Sequence, residues 1–323
     1  MKQKICLPIE LPELAKVEEQ LYAEIQSTPG FLGEICKYML KAGGKRLRPT
    51  LVLLSAKCHQ ENVSPKVICA ATAVELIHLA SLIHDDVIDN SSSRHGKPTI
   101  NQLWDNKVAI LAGDKLYAKA FDILAKNGLY NILNLVVEAI EDMCSGEIEQ
   151  ALDSFNLEQE ENSYYNKISK KTGKLIAVSC QSGSLAGEAD EETALSLRNY
   201  GLNLGYAFQI TDDILDFTGE EEILGKPVGS DLKQGTLTLP IIFLLHNPNH
   251  RSWVQNILKE KNISSTNRQK IIEALLSTGT LQKAKDIAYS YAEAARNCLH
   301  NIPATIYKET LQEIALLAID RSC

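Results

Sequence analysis

Residues 81–90, "SLIHDDVIDN", end a long apolar run, and the form recurs at residues 209–218 as "QITDDILDFT". Each places DDxxD at the close of a segment with helical period. At about 100° per residue, helix positions i, i+1 and i+4 fall within one arc. Asp85, Asp86 and Asp89 are therefore expected to point one way, and Asp212, Asp213 and Asp216 likewise. Crowded carboxylates repel one another and resist removal from water unless a cation joins them. A single DD pair reads as a solvated acidic helix end. Two copies, each ending an apolar helix, read as a site. Helices set side by side would turn six carboxylates toward one cleft. Mg²⁺ bridging them to phosphate oxygens would make that tolerable. No EF-hand loop supports calcium instead.

Outward from these motifs nearly every segment keeps helical period. Apolar residues recur at three and four spacing in 11–27, 31–42, 64–89, 107–126, 130–152, 164–187, 192–218, 264–276 and 279–299. Pro29-Gly30, Gly43-Gly44, Asn127-Gly128, Gly219 and Pro248 punctuate them. "TLTLPIIFLL", residues 236–245, is the one stretch with strand character, and it reads better as a buried helix. No linker or charge block divides the chain. The expectation is an all-α protein, a single large helical domain over residues 1–323, with core helices around a central cleft.

The 323 residues are 45% hydrophobic, enough for a large core. No stretch reads as long and apolar enough to cross a bilayer and no leader is recognised, so a cytoplasmic protein without a transmembrane segment is expected. The net charge of −8 argues against a nucleic-acid partner. Eight scattered cysteines, without CxxC spacing, read as reduced thiols, mostly in the core. Cations nevertheless gather near the acidic motifs. "KAGGKRLRP" supplies Lys45, Arg46 and Arg48; Arg94 and Lys97 follow the first motif. Lys170, Lys171 and Lys174 stand with Thr172 in "SKKTGKL", and Lys226 lies between the second motif and Asp231. Acidic motifs with local cations fit a metal-diphosphate ligand. There is no P-loop for a nucleoside triphosphate.

At "GGKRLRP", "LIHDDVIDNSSSRHGKPT", "GEIEQ", "KKTGKL" and "FQITDDILDFTGEEEILGKPVGSDLKQGTLTLP" the sequence resembles the trans isoprenyl diphosphate synthases. The resemblance runs from about residue 35 to 245. It implies the isoprenoid synthase fold and a Mg²⁺-dependent prenyltransferase that joins isopentenyl diphosphate to an allylic diphosphate, farnesyl diphosphate being the expected primer. By the same resemblance the six aspartates hold Mg²⁺ on the allylic diphosphate. Lys45, Arg48 and His78 match contacts to isopentenyl diphosphate; Arg94, Lys171, Thr172, Gln209 and Lys226 match contacts to the allylic substrate. His78 lies two turns before Asp85 and Gln209 three residues before Asp212, which agrees with those roles. His84 has no matching role and reads as structural.

Two positions depart from the family. His95 stands where a second arginine usually contacts isopentenyl diphosphate, and an imidazole offers one donor where guanidinium offers a charged fork. Thr236 stands where many members have lysine. Ala80 and Ser81, just before the first motif, are small where short-chain members often carry aromatics, which implies an open tunnel and a long product. The wording of "GEIEQ" and "LGKPVGSD" is most similar to the heptaprenyl branch, which serves quinone side chains and whose members pair with a smaller, non-catalytic subunit. An ordinary homodimer is the alternative. Three other functions compete: a farnesyl or geranylgeranyl synthase, a non-catalytic modulating subunit, and a terpene cyclase. The cyclase is disfavoured because "DDILD" is intact.

Overall fold

The computed structural model describes residues 9–26, 30–42, 44–94, 96–219, 228–261 and 263–320. His95 and Lys226 lie outside the described residues. In chain order the helices are α1 Glu13–Gln26, α2 Phe31–Ala42, α3 Leu47–Lys57, α4 Pro65–Ile88, α5 Ile100–Leu103, α6 Asn106–Lys126, α7 Tyr130–Leu152 and α8 Glu161–Ile168. A π-helical turn, Ser169–Gly173, leads into α9 Lys174–Ala186 and α10 Glu191–Thr218. The last are α11 Ser230–Gln234, α12 Leu239–His246, α13 Pro248–Lys259, α14 Ser265–Ser277, α15 Thr280–Cys298 and α16 Ile306–Leu317. Among the described residues the only strands are β1 Ser93–Arg94 and β2 Lys97–Pro98, an antiparallel pair. The fold class is thus all-α, as expected. Two compact units form, one from the described residues of 1–138, 175–199 and 298–312, the other from those of 139–174, 200–297 and 313–323.

In the first unit α4 packs chiefly on α6, then on α3 and α1. Every residue from Val67 to Ile77 is buried, and burial continues at Leu79, Ala80, Ser81 and Ile83. The helix is therefore covered on every face rather than along one stripe. α4 corrects one expectation. It is long and apolar enough to cross a membrane by length and composition. Its burial among other helices makes it the core helix of this unit. α3 is likewise buried along most of its length. Gly183 of α9 lets backbones meet there, since a Cβ would stand 2.1 Å from the Val52 carbonyl oxygen.

The core of the second unit gathers around α12, which packs on α13, α14 and α8. Leu239 through Leu245 are all buried, and Pro240 sits in the first turn, where its missing N–H has no intrahelical role. The helical reading of this apolar run holds. The 164–187 segment is interrupted by the π turn, packed closely enough that a Cβ on Gly205 would lie 2.5 Å from the Gly173 Cα. Single π turns inside helices often mark functional positions.

Candidate active site

In the first unit Asp85 and Asp86 occupy the last turn of α4, and Asp89 caps it, its N–H donating to the Asp85 carbonyl at 2.8 Å. The three aspartates are not equivalent. Asp85 is half-buried and Asp89 exposed, while Asp86 is 3% exposed. Arg94 places both Nε and Nη2 2.9 Å from the Asp86 Oδ1. The loop closes on the same residue, Ser91 N donating to the Asp86 carbonyl at 2.9 Å. Arg94, expected as a substrate contact, thus also ties the β1–β2 hairpin to the motif.

Arg48 Nη1 lies 3.1 Å from His78 Nε2. Guanidinium can only donate, so Nε2 accepts and the ring proton sits on Nδ1. Burial pushes His78 well below the usual imidazole range, with Arg48, Arg94 and Arg46 adding repulsion. Burial also lowers Arg48 to about 10, against the pull of Glu75 and Asp85. His78, Arg48 and Asp85 therefore belong to one electrostatic group. Lys45 is exposed. Arg46 is not available as a phosphate contact. It is buried, paired with Glu18 and, at 2.9 Å, with Glu75. His84 keeps its structural reading, with Nε2 3.1 Å from the Ile110 carbonyl and its ring over Gly113.

In the second unit Asp212 is half-buried, Asp213 4% exposed and Asp216 0%. Tyr164 Oη donates to Asp213 Oδ2 at 2.7 Å and Gln209 Nε2 to Oδ1 at 2.9 Å. Thr172 Oγ1 donates to Gln209 Oε1 at 2.7 Å. Asp216 accepts from Ser230 Oγ at 2.8 Å and Asp231 N at 3.3 Å. Burial raises the Asp213 carboxyl to about 7, Asp231 and Asp212 adding to the rise and the hydrogen bonds from Tyr164 and Gln209 opposing it.

The lysines of "SKKTGKL" meet acids of α7. Lys171 Nζ lies 2.6 Å from Glu147 and donates to Gln150 Oε1 at 2.9 Å; Lys170 pairs with Glu149 and Lys174 with Asp142. "GEIEQ" thereby acquires a structural role, because a Cβ on Gly146 would press to 3.0 Å from the Lys170 and Lys171 side chains. Sequence reasoning missed Tyr164, Ser230 and the buried Lys167. Nothing local marks the first two; an apolar-face lysine beside "YY" was the only signal for the third.

Ala80 and Ser81 are both buried, and Ser81 Oγ bonds its own helix at the His78 carbonyl, 2.9 Å away. Among the described residues no three His, Cys, Asp or Glu side chains gather closely enough to chelate a metal by themselves. The donor set still suits a hard cation. It is all oxygen, and Mg²⁺ asks for only one or two protein carboxylates beside phosphate oxygens and water. Each motif also sits at its helix's C-terminal end, where the macrodipole adds negative potential.

A helical fold carrying two DDxxD motifs, with arginines and lysines close by in each unit, defines an isoprenoid-synthase type of enzyme. Comparison with known proteins sharpens that class. The model of the polyprenyl synthetase family matches residues 29–275, and this chain belongs to that family. It is 39% identical over 316 residues to heptaprenyl diphosphate synthase component 2 of Geobacillus stearothermophilus, covering 98% of each chain. A heptaprenyl diphosphate synthase structure from Staphylococcus aureus matches with TM-score 0.90 and 35% identity, covering 96% of this chain and 97% of that one. The structure of a Caulobacter crescentus polyprenyl synthase complexed with calcium and isoprenyl diphosphate matches with TM-score 0.89 and 31% identity, covering 96% and 94%. The protein is an enzyme, a trans-prenyltransferase that condenses isopentenyl diphosphate with an allylic diphosphate.

Proposed function

We propose that this chain is a Mg²⁺-dependent synthase of a medium- to long-chain all-trans polyprenyl diphosphate, heptaprenyl-like, for a quinone side chain. The observation that carries the reading is the hydrogen-bonded series Thr172–Gln209–Asp213–Tyr164, with Lys171 alongside. It joins expected substrate contacts directly to an acidic motif. Asp85, Asp89 and Asp212, the less buried carboxylates, would hold the metal. Asp86, Asp213 and Asp216 would stand behind them, fixed by Arg94, Tyr164 and Ser230. When bound, Mg²⁺ offsets the charge that builds on the departing pyrophosphate. Arg94, Lys171, Thr172, Gln209 and Lys226 orient the allylic substrate. Lys45, Arg48, His95 and His78, the last through Nδ1–H, hold isopentenyl diphosphate so that its double bond meets the allylic carbon.

Small residues at 80 and 81 support the long product over a farnesyl- or geranylgeranyl-length one. The whole of 1–323 would act as one catalytic domain, in the cytoplasm. α7 exposes Tyr130, Val137, Ile148 and Leu152 at helical spacing, an apolar face suited to a second copy or to a smaller non-catalytic subunit. The test is incubation of the purified protein with Mg²⁺, farnesyl diphosphate and labelled isopentenyl diphosphate, followed by product sizing. Long polyprenyl products, made alone or with the small subunit, support the reading. Products that stop at one or two additions under both conditions overturn the chain length.

A further inference from the structure

Lysines of the π turn and its exit meet acids of α7 in three part-exposed pairs: Lys170 with Glu149, Lys171 with Glu147, and Lys174 with Asp142. Among the described residues Lys171 alone of the three has a second side-chain acceptor. Its Nζ lies 2.6 Å from Glu147 and donates to Gln150 Oε1 at 2.9 Å. Glu147 and Gln150 stand three residues apart, on one face of α7. The lysine stem is held as well, since a Cβ on Gly146 would come 3.0 Å from the Lys171 Cγ and 3.4 Å from its backbone nitrogen. In the same turn Thr172 donates to Gln209, which donates to Asp213 of the second motif. Lys171 is thus fixed to α7 through its side chain and to α10 through its neighbour. An ammonium has three N–H donors, so two acceptors leave one for a ligand. Lysine is otherwise a flexible point charge, and ordering it in advance removes a cost that binding would carry.

Resting on the assignment of Lys171 to the allylic substrate, we propose that Glu147 and Gln150 are positioning residues of the prenyl transfer, holding the Lys171 ammonium ready for the allylic diphosphate. "GEIEQ" then serves the reaction through this one lysine, while Glu149 and Asp142 serve the packing of α7 on the π turn. Alone, the Glu147 carboxylate would repel a diphosphate; paired at 2.6 Å, its charge is largely offset.

The experiment measures the Kd of farnesyl diphosphate with Mg²⁺ by calorimetry, without isopentenyl diphosphate, and the KM of each substrate in turnover. Wild type is compared with Glu147→Ala, Gln150→Ala, Glu149→Ala, Lys171→Ala and the double variant of Glu147 and Lys171, with melting temperatures to check folding. Glu147→Ala should raise the Kd and KM for farnesyl diphosphate about three- to tenfold and leave the KM for isopentenyl diphosphate within about twofold. Gln150→Ala should act in the same direction by less, and stands in should Glu147→Ala not fold. Glu149→Ala, which breaks a neighbouring pair, should leave both substrates unaffected. Adding Glu147→Ala to Lys171→Ala should cause no further loss, the signature of a residue that acts through another. Farnesyl diphosphate binding that is unchanged in Glu147→Ala and Gln150→Ala, equally weakened in Glu149→Ala, or further weakened in the double variant overturns the proposal. Unchanged binding in Lys171→Ala would instead overturn the assignment beneath it.

Discussion

Tyr164 donates to Asp213 at 2.7 Å, and both residues are almost wholly buried. This one contact fastens α8 to the second acidic motif and helps keep a buried carboxyl ionisable. Without it, Asp213 would retain the Gln209 amide as its one side-chain hydrogen-bond donor against burial and the neighbouring aspartates. Tyr164→Phe keeps the ring and removes the donor. It should cost about 1–3 kcal/mol of stability, raise the Mg²⁺ concentration needed for half-maximal turnover, and lower the rate. Denaturant unfolding and Mg²⁺ titration check it; an unchanged melt and titration would show that the bond carries neither role.

Asp85→Ala and Asp212→Ala remove half-buried carboxylates from the two motifs. Each should reduce turnover by on the order of a hundredfold or more, since metal-stabilised charge is worth several kcal/mol. Circular dichroism should show the helical fold retained. Near-parental rates at saturating substrate and Mg²⁺ would contradict the assignment.

Arg46 and Arg48 are two residues apart yet should fail differently. Arg46→Ala strands Glu75 in the interior and should destabilise by about 3–5 kcal/mol. Arg48→Ala should chiefly raise the KM for isopentenyl diphosphate. Comparing melting temperature with KM for both variants separates the roles.

His78 is held neutral, its pKa well below the usual 6.5 mainly by burial and then by nearby arginines. Unfolded, it takes up a proton near pH 6.5, so below that pH the unfolded chain binds more protons than the native one. The stability tied to neutral His78 is complete above about pH 6.5 and is lost on acidification. Wild-type melting temperature should therefore fall more steeply between about pH 6.5 and 5.5 than that of His78→Gln. Parallel curves would count against it.

Ser81→Phe should shorten the product toward farnesyl or geranylgeranyl length while leaving the first condensation intact. Ala80→Phe should act similarly, but Ala80 is fully buried, and overpacking there costs about 1–3 kcal/mol. Product sizing decides it: parental chain length from a folded Ser81→Phe places the tunnel floor elsewhere.

Long segments with clear period were legible in the sequence. α2 and α7 keep the expected bounds, and α4, α6 and α10 shift by a residue. α3 was not, because the polar residues of "LRPTLVLLSAK" fall on opposite faces and the helix is buried from Pro49 to Lys57, leaving no period to detect. The π turn was hidden for another reason. It lies where Gly173 meets Gly205, a contact distant in sequence that local pattern does not encode. The site divided along the same line. Both acidic motifs announced themselves through spacing, whereas their inequivalence did not: i, i+1 and i+4 share an arc, but packing buries Asp86 and leaves Asp89 exposed. Arg46 resembles Arg48 in sequence, and only the fold shows Glu18 and Glu75 claiming it. The β1–β2 hairpin was too short to read, and Gly96, at φ 72°, supplies the left-handed turn it needs.

The central claim is that these carboxylates hold metal against a diphosphate. Crystals grown with Mn²⁺ and a non-ionisable thio analogue of farnesyl diphosphate test it most directly, read by anomalous scattering at the manganese edge. The account predicts peaks about 2.1 Å from carboxylate oxygens of Asp85 and of Asp212, each shared with a diphosphate oxygen. Bound analogue with no manganese at either aspartate would contradict it.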